Sequence, residues 1–192
     1  ITFPNGTLTY NGAGQKYEKA TTSTTAIGTP AWTYTYVVAD ATASLDSAGL
    51  PKTAGTYTVT AKYEDDAHIG TKNATLTINK ATPTGAPKYT AITTNGKTLA
   101  DAGLTVTGST LNPTAGALEW VDDAGKVLPD TTAVAANTTY KWRFTPTDAN
   151  YKALTGSIEL YHKSSSSGGG GGRSHPSRSV SYTHPDAADD LI

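Results

Sequence analysis

In Thr56-Tyr57-Thr58-Val59-Thr60-Ala61-Lys62-Tyr63 the apolar and aromatic residues take every second position, with threonine and lysine between them. Side chains of an extended chain point alternately to opposite faces, so such a segment buries one face and wets the other. The alternation returns in Ala31 to Tyr36, which puts Trp32, Tyr34 and Tyr36 on one side, and in Thr75-Leu76-Thr77-Ile78. Ile1 to Phe3 and Thr7 to Tyr10 are further strand candidates, the second running into the turn dipeptide Asn11-Gly12. About one residue in five is threonine, which with tyrosine and valine favours the half-buried surface of a sheet. Nothing reads as helix-rich, and an all-β chain is expected.

The second half repeats these features in order. Trp120 lies in Leu118-Glu119-Trp120-Val121; Tyr140, Trp142 and Phe144 alternate with Lys141 and Arg143; Ile158 and Leu160 alternate with Ser157 and Glu159. Leu50-Pro51 precedes Gly55-Thr56-Tyr57 as Leu128-Pro129 precedes Thr138-Thr139-Tyr140. Setting Tyr57 on Tyr140 also sets Asp65 on Asp148, and one deleted residue brings Leu76 onto Ile158. This is an internal repeat of about 80 residues, and its period bounds the architecture. Pro and Gly interrupt the pattern at Lys80 to Gly85, which places two units at 1–82 and 83–162. Short strands separated by turn signals are the pattern of a β-sandwich or small barrel. Residues 163–192 form a third segment: a Ser/Gly run from Ser164 to Gly172 reads as a flexible linker, and disorder is expected from Arg173 onward.

The bulk numbers narrow the function classes. At 192 residues the chain fits two modest domains, and an apolar fraction of 36% makes their cores thin. The 15 basic and 16 acidic residues are dispersed and leave a formal net charge of -1. A nucleic-acid binder would concentrate its basic residues in a stripe, and an anionic membrane has no counterpart here either. Without cysteine there is neither a disulfide framework nor a Cys-based zinc site. No run approaches the eighteen or so apolar residues of a membrane helix, and no signal peptide opens the chain. Methionine is absent even at position 1. Together these read as a monomeric internal piece of a longer protein, without membrane insertion.

The stretch Ala54-Gly55-Thr56-Tyr57-Thr58-Val59-Thr60-Ala61, closed by Ala74-Thr75-Leu76-Thr77-Ile78-Asn79-Lys80-Ala81 and opened by Leu8-Thr9-Tyr10-Asn11-Gly12, resembles the MBG-type Ig-like repeats of Gram-positive surface proteins. The second unit resembles them through Tyr140 to Pro146 and Asn150-Tyr151, but has Asn137-Thr138-Thr139 where the first has Ala54-Gly55-Thr56. The resemblance implies two tandem Ig-like β-sandwich domains at the cell surface or cell wall. Gly55 to Val59 also looks like a tyrosine-corner strand, with Val59 inward and Trp32 as the core tryptophan. Asp40 to Ala48, polar and Ala-rich, leaves open a β-grasp unit with one short helix. The end of the chain, Ser179 to Asp190, resembles translated sequencing-adapter DNA and on that reading carries no biology.

Convergent chemistry is hard to find. No Gly-x-Ser-x-Gly elbow occurs, and His68 and His162 fall at a loop and a strand end, where solvated histidines are expected. Glu64, Asp65, Asp66, Asp122 and Asp123 are available as paired carboxylates or hard calcium ligands, but all stand in turn contexts that favour Asp for bonding its own backbone. An intramolecular Lys-Asn cross-link needs an Asn sharing the inward side of Leu76 and Ile78, and Asn73 and Asn79 have the opposite parity. Trp32, Tyr34, Tyr36, Tyr57 and Tyr63 could stack against a sugar, but read more simply as core. No catalytic, cofactor or metal residues are assigned. The expected function is a non-catalytic spacer of a bacterial surface protein; the alternative is an adhesin module binding a host glycan or extracellular protein, which would expose an apolar patch.

Overall fold

The computed structural model describes residues 1–164, and over them the chain is all-β with almost no helix. Four strands, β1 (Gly6–Thr9), β2 (Ala31–Val38), β3 (Gly55–Glu64) and β4 (Ile69–Asn79), form one sheet in the order β1-β4-β3-β2. Three more, β5 (Gly116–Val121), β6 (Thr139–Pro146) and β7 (Leu154–Glu159), form a second in the order β5-β6-β7. Neighbours are antiparallel except β1 and β4, which run parallel. One 3-10 turn, Leu99–Ala102, is the only helical element among the described residues. The readings made for the Ser/Gly run beyond Ser164 and for Arg173 to Ile192 lie outside the described residues.

The alternation places the core. On β3, Tyr57, Val59 and Ala61 are fully buried and Tyr63 nearly so, while the threonines between them are half-exposed. Ala74, Leu76 and Ile78 of β4 share that inward face. Phe3 and Tyr17, from segments outside the strands, close over it with their rings stacked 5.6 Å apart. On the second sheet Trp120, Trp142 and Phe144 meet Ile92, Leu99, Ala102, Leu111 and Val134. Each sheet therefore has its own apolar cluster, covered by irregular segments that isolated bridges hold together, among them Thr2 with Thr21 and Lys88 with Thr105.

The two halves match in register. Tyr57 lies opposite Leu76, and Tyr140 opposite Ile158, the pairs that the internal repeat superimposes. Both tyrosine hydroxyls turn back to the preceding loop: Tyr57 donates to the Thr53 carbonyl at 2.7 Å, and Tyr140 to the Ala133 carbonyl at 3.2 Å.

Three expectations change. No helix forms over residues 40–48, because the Asp40 carboxylate accepts from the Thr42 and Ala43 N–H groups and Asp46 from those of Ala48 and Leu50. Local side-chain bonds of this kind offer the backbone an alternative to a helix. Trp32 is only half-buried, since β2 is an edge strand and Trp32 sits near its outer end, edge-on to Tyr63 at 5.0 Å. The buried tryptophans are Trp120 and Trp142. Ile1 to Phe3 makes only the single bridge at Thr2.

Candidate functional site

The acidic turns are occupied by their own surroundings. Asp65, between β3 and β4, accepts from the Ala67 and His68 N–H groups at 2.9 and 2.7 Å, from the Ile27 N–H at 3.2 Å and from the Tyr63 hydroxyl at 2.7 Å. Burial raises its pKa, but the Tyr63 hydroxyl and the three backbone donors outweigh it and hold the carboxyl well below the usual range. Glu64 is paired with Lys62. Asp122 accepts from the Ala124 and Lys126 N–H groups, both at 2.9 Å, and Asp123 pairs with Lys141 at 2.8 Å. Among the described residues no group of three His, Asp or Glu side chains is placed to hold a metal ion.

The exposed His68 and His162 each face one carboxylate, Asp65 at 3.0 Å and Glu159 at 2.7 Å. Asn73 and Asn79 are on the exposed side of β4, where Asn73 accepts from the Thr60 hydroxyl at 2.8 Å.

The aromatic set divides. Tyr57, Tyr63 and Tyr36 are buried, and Trp32 and Tyr34 are half-buried with rings 6.2 Å apart and only 19° from parallel. These two and Tyr36 line an open cleft of about 470 Å³ together with Lys16, Glu18 and Leu50. Burial pushes the Tyr34 phenol up, partly offset by a bond to the Ala20 backbone. In this cleft three of the sequence-marked aromatics meet solvent and charged side chains together.

A second surface was not marked in the sequence, the contact between the halves. The turn after β6, Asp148-Ala149-Asn150-Tyr151, reaches the end of the first half where β1 and β4 finish and β3 begins. Asn150 Oδ1 accepts from the Ala54 N–H at 2.7 Å, and Ala54 is 7% exposed, so this bond satisfies a buried donor. The Asn150 carbonyl accepts from the Ala81 N–H at 2.9 Å, and the Lys152 N–H donates to the Ala81 carbonyl at 2.8 Å. The Tyr10 hydroxyl donates to Asp148 Oδ2 at 3.2 Å, and the Tyr10 and Tyr151 rings meet edge-on at 5.5 Å. Asp148 is held below the ordinary carboxylate range, first by the Asn150 N–H and then by the Asn150 amide and Tyr10, against the opposing effect of burial. Burial and the Asp148 charge push the Tyr10 phenol up. The ionised carboxylate and the protonated phenol therefore support one another.

The signal for this contact lay in the differences between the repeats rather than in their agreement. Asn150 and Tyr151 stand where the first unit has Ala67 and His68, on an otherwise equivalent Asp-capped turn. No protein-family model matches the sequence, and no curated protein matches it.

Proposed function

We propose that the chain is a pair of Ig-like units stacked end to end as a non-catalytic spacer in a bacterial cell-surface protein. The observation that carries this reading is the contact just described: two backbone bonds at Ala81, the Asn150 to Ala54 bond and the Tyr10 to Asp148 bond join the halves where a free linker would leave them independent. A module whose task is to hold a set distance needs a junction of this kind, because unconstrained domains reorient by default. The Ig-like assignment is supported by the tyrosine hydroxyls that bond back to the preceding loop in both units, and by the antiparallel β3–β4 and β6–β7 hairpins with alternating inward residues. The surface location follows from the resemblance of the Gly55 to Val59 and Ala74 to Ala81 segments.

The test is the relative orientation of the two sheets in solution. Residual dipolar couplings from β3 and β4 and from β6 and β7 should fit a single alignment tensor in the full chain. Two independent tensors would sink the spacer reading.

A second reading, adhesion to a glycan, is favoured by the Trp32 and Tyr34 cleft, whose near-parallel rings and adjacent Lys16 and Glu18 suit a sugar's apolar face and its hydroxyls. Binding on a glycan array that is lost in Trp32→Ala would install it, and absence of binding would remove it.

A further inference from the structure

The exits of the two units can be compared group by group, because the alignment that sets Tyr57 on Tyr140 and Leu76 on Ile158 also sets Ala54 on Asn137 and Ala81 on Lys163. In the first unit the Ala54 N–H, the Ala81 N–H and the Ala81 carbonyl are all held by the second unit, at 2.7, 2.9 and 2.8 Å. In the second unit the three equivalent groups are held from within. The Asn137 N–H donates to the Tyr161 carbonyl at 2.7 Å, the Lys163 N–H donates to Asn137 Oδ1 at 2.9 Å, and Asn137 Nδ2 donates to the Lys163 carbonyl at 3.1 Å. One side chain manages both Lys163 bonds with its backbone at φ 53, in the left-handed region. No other non-glycine residue among those described adopts it, and asparagine is one of the few that tolerates it.

We propose that the exit end of a unit is a socket for an Asp-x-Asn-Tyr hairpin, and that Asn137 fills the second unit's own socket and makes that unit the end of the stack. The proposal rests on the spacer reading for its significance. In arrays whose members contact only their neighbours, an end member presents a polar outer face where the others face a neighbour. It accounts for Asn137 standing where the first unit has Ala54. An alanine leaves the socket open for the next unit, whereas an asparagine in the left-handed conformation folds its amide onto the exit backbone.

Amide hydrogen exchange on the full chain tests this. Asn137→Gly keeps access to φ 53 and removes the amide, so Lys163 should exchange roughly fivefold faster or more, the loss of about one net hydrogen bond, with Ala54 and Ala81 unchanged. Asn137→Asp retains the acceptor oxygen and should keep the Lys163 amide protected. Asn150→Ala should speed Ala54 and leave Lys163 alone. An unprotected Lys163 amide in the unaltered chain, an unchanged rate in Asn137→Gly, or an equal rise in Asn150→Ala would each overturn the proposal, and the first of these is readable even if Asn137→Gly does not fold. Independent orientation of the two sheets would defeat the spacer reading without touching the Lys163 rates, so the two failures are separable.

Discussion

Removing one oxygen in Tyr57→Phe should cost the first unit far more than the equivalent Tyr140→Phe costs the second. Tyr57 is fully buried; its hydroxyl faces the Thr53 carbonyl at 2.7 Å and the Ser44 carbonyl at 2.9 Å as donor, and accepts from the Ser44 N–H at 3.2 Å. Phenylalanine keeps the ring's packing, so the loss is confined to these bonds and a longer contact with Thr53 Oγ1 at 3.3 Å. The Ser44 carbonyl retains the Lys52 N–H at 3.0 Å and the Ser44 N–H retains Thr53 Oγ1 at 2.7 Å. The Thr53 carbonyl loses its donor. One net bond plus a carbonyl left without its donor comes to about 2 kcal/mol. For a unit of this size that is a fall of roughly 8 to 16 °C in Tm. The Tyr140 hydroxyl bonds the Ala135 N–H at 2.9 Å and the Ala133 carbonyl at 3.2 Å at an exposed site, where water replaces it, and its loss should cost about 0.5 kcal/mol or less. Urea titration followed by amide signals from each sheet separates the units, since a two-unit chain need not unfold in one step. Equal losses in the two variants would refute the reasoning, as would a Tyr57→Phe effect below about 0.5 kcal/mol, because burial of the bond would then not be what sets its worth.

Phe144→Ala empties a fully buried site in the second cluster and should destabilise that unit by about 3 to 5 kcal/mol, read as loss of its dispersed amide signals. Gly85 has φ 88, and a Cβ there would stand 2.0 Å from the Thr110 carbonyl oxygen, so Gly85→Ala should cost more than the roughly 1 to 2 kcal/mol of the left-handed backbone alone. Its thermal midpoint against the unaltered chain is the check. Asp40 has its pKa lowered from 3.8 to about 2, first by the Thr42 hydroxyl and then by the Thr56 N–H, with further bonds from the Thr42 and Ala43 N–H groups. A folded-state pKa below the unfolded one gives stability that is present above about pH 4 and lost as pH falls toward 2. Asp40→Asn should flatten that part of the stability profile, and an unchanged acid limb would discount the bond set.

What the sequence disclosed depended on whether the responsible force is local. Period two in Thr56 to Tyr63 reports a strand with one wet face, and β3 buries the residues it nominates. The repeat was legible because Tyr57 and Tyr140 must sit opposite an apolar partner in their own hairpins. Trp32 was misplaced because alternation says which side a residue faces but not whether its strand lies at an edge. The helix considered for 40–48 failed on the carboxylates of Asp40 and Asp46, whose backbone bonds outweigh the alanines' propensity. The junction was hidden for another reason: Tyr10 and Asp148 are far apart in sequence, and nothing local to either announces a partner. Only Asn150 and Tyr151, standing where the first unit has Ala67 and His68 after the shared aspartate, mark it.

The parallel pairing of β1 with β4 has a mechanical meaning. These are the first and last strands of the first unit, so tension applied at its two ends pulls them in opposite directions along their length. The register runs from Gly6 with Leu76 to Thr9 with Asn79, and such a pull loads the whole ladder in shear, all bonds together, rather than peeling them one after another. In the second unit the described residues place one backbone bond between the entry segment and the exit segment, from the Ile92 N–H to the Leu160 carbonyl at 2.7 Å. The two copies share a tyrosine, a turn and a register but not a clamp, so when the chain is stretched from both ends the second should unfold at the lower force, as single-molecule pulling would read.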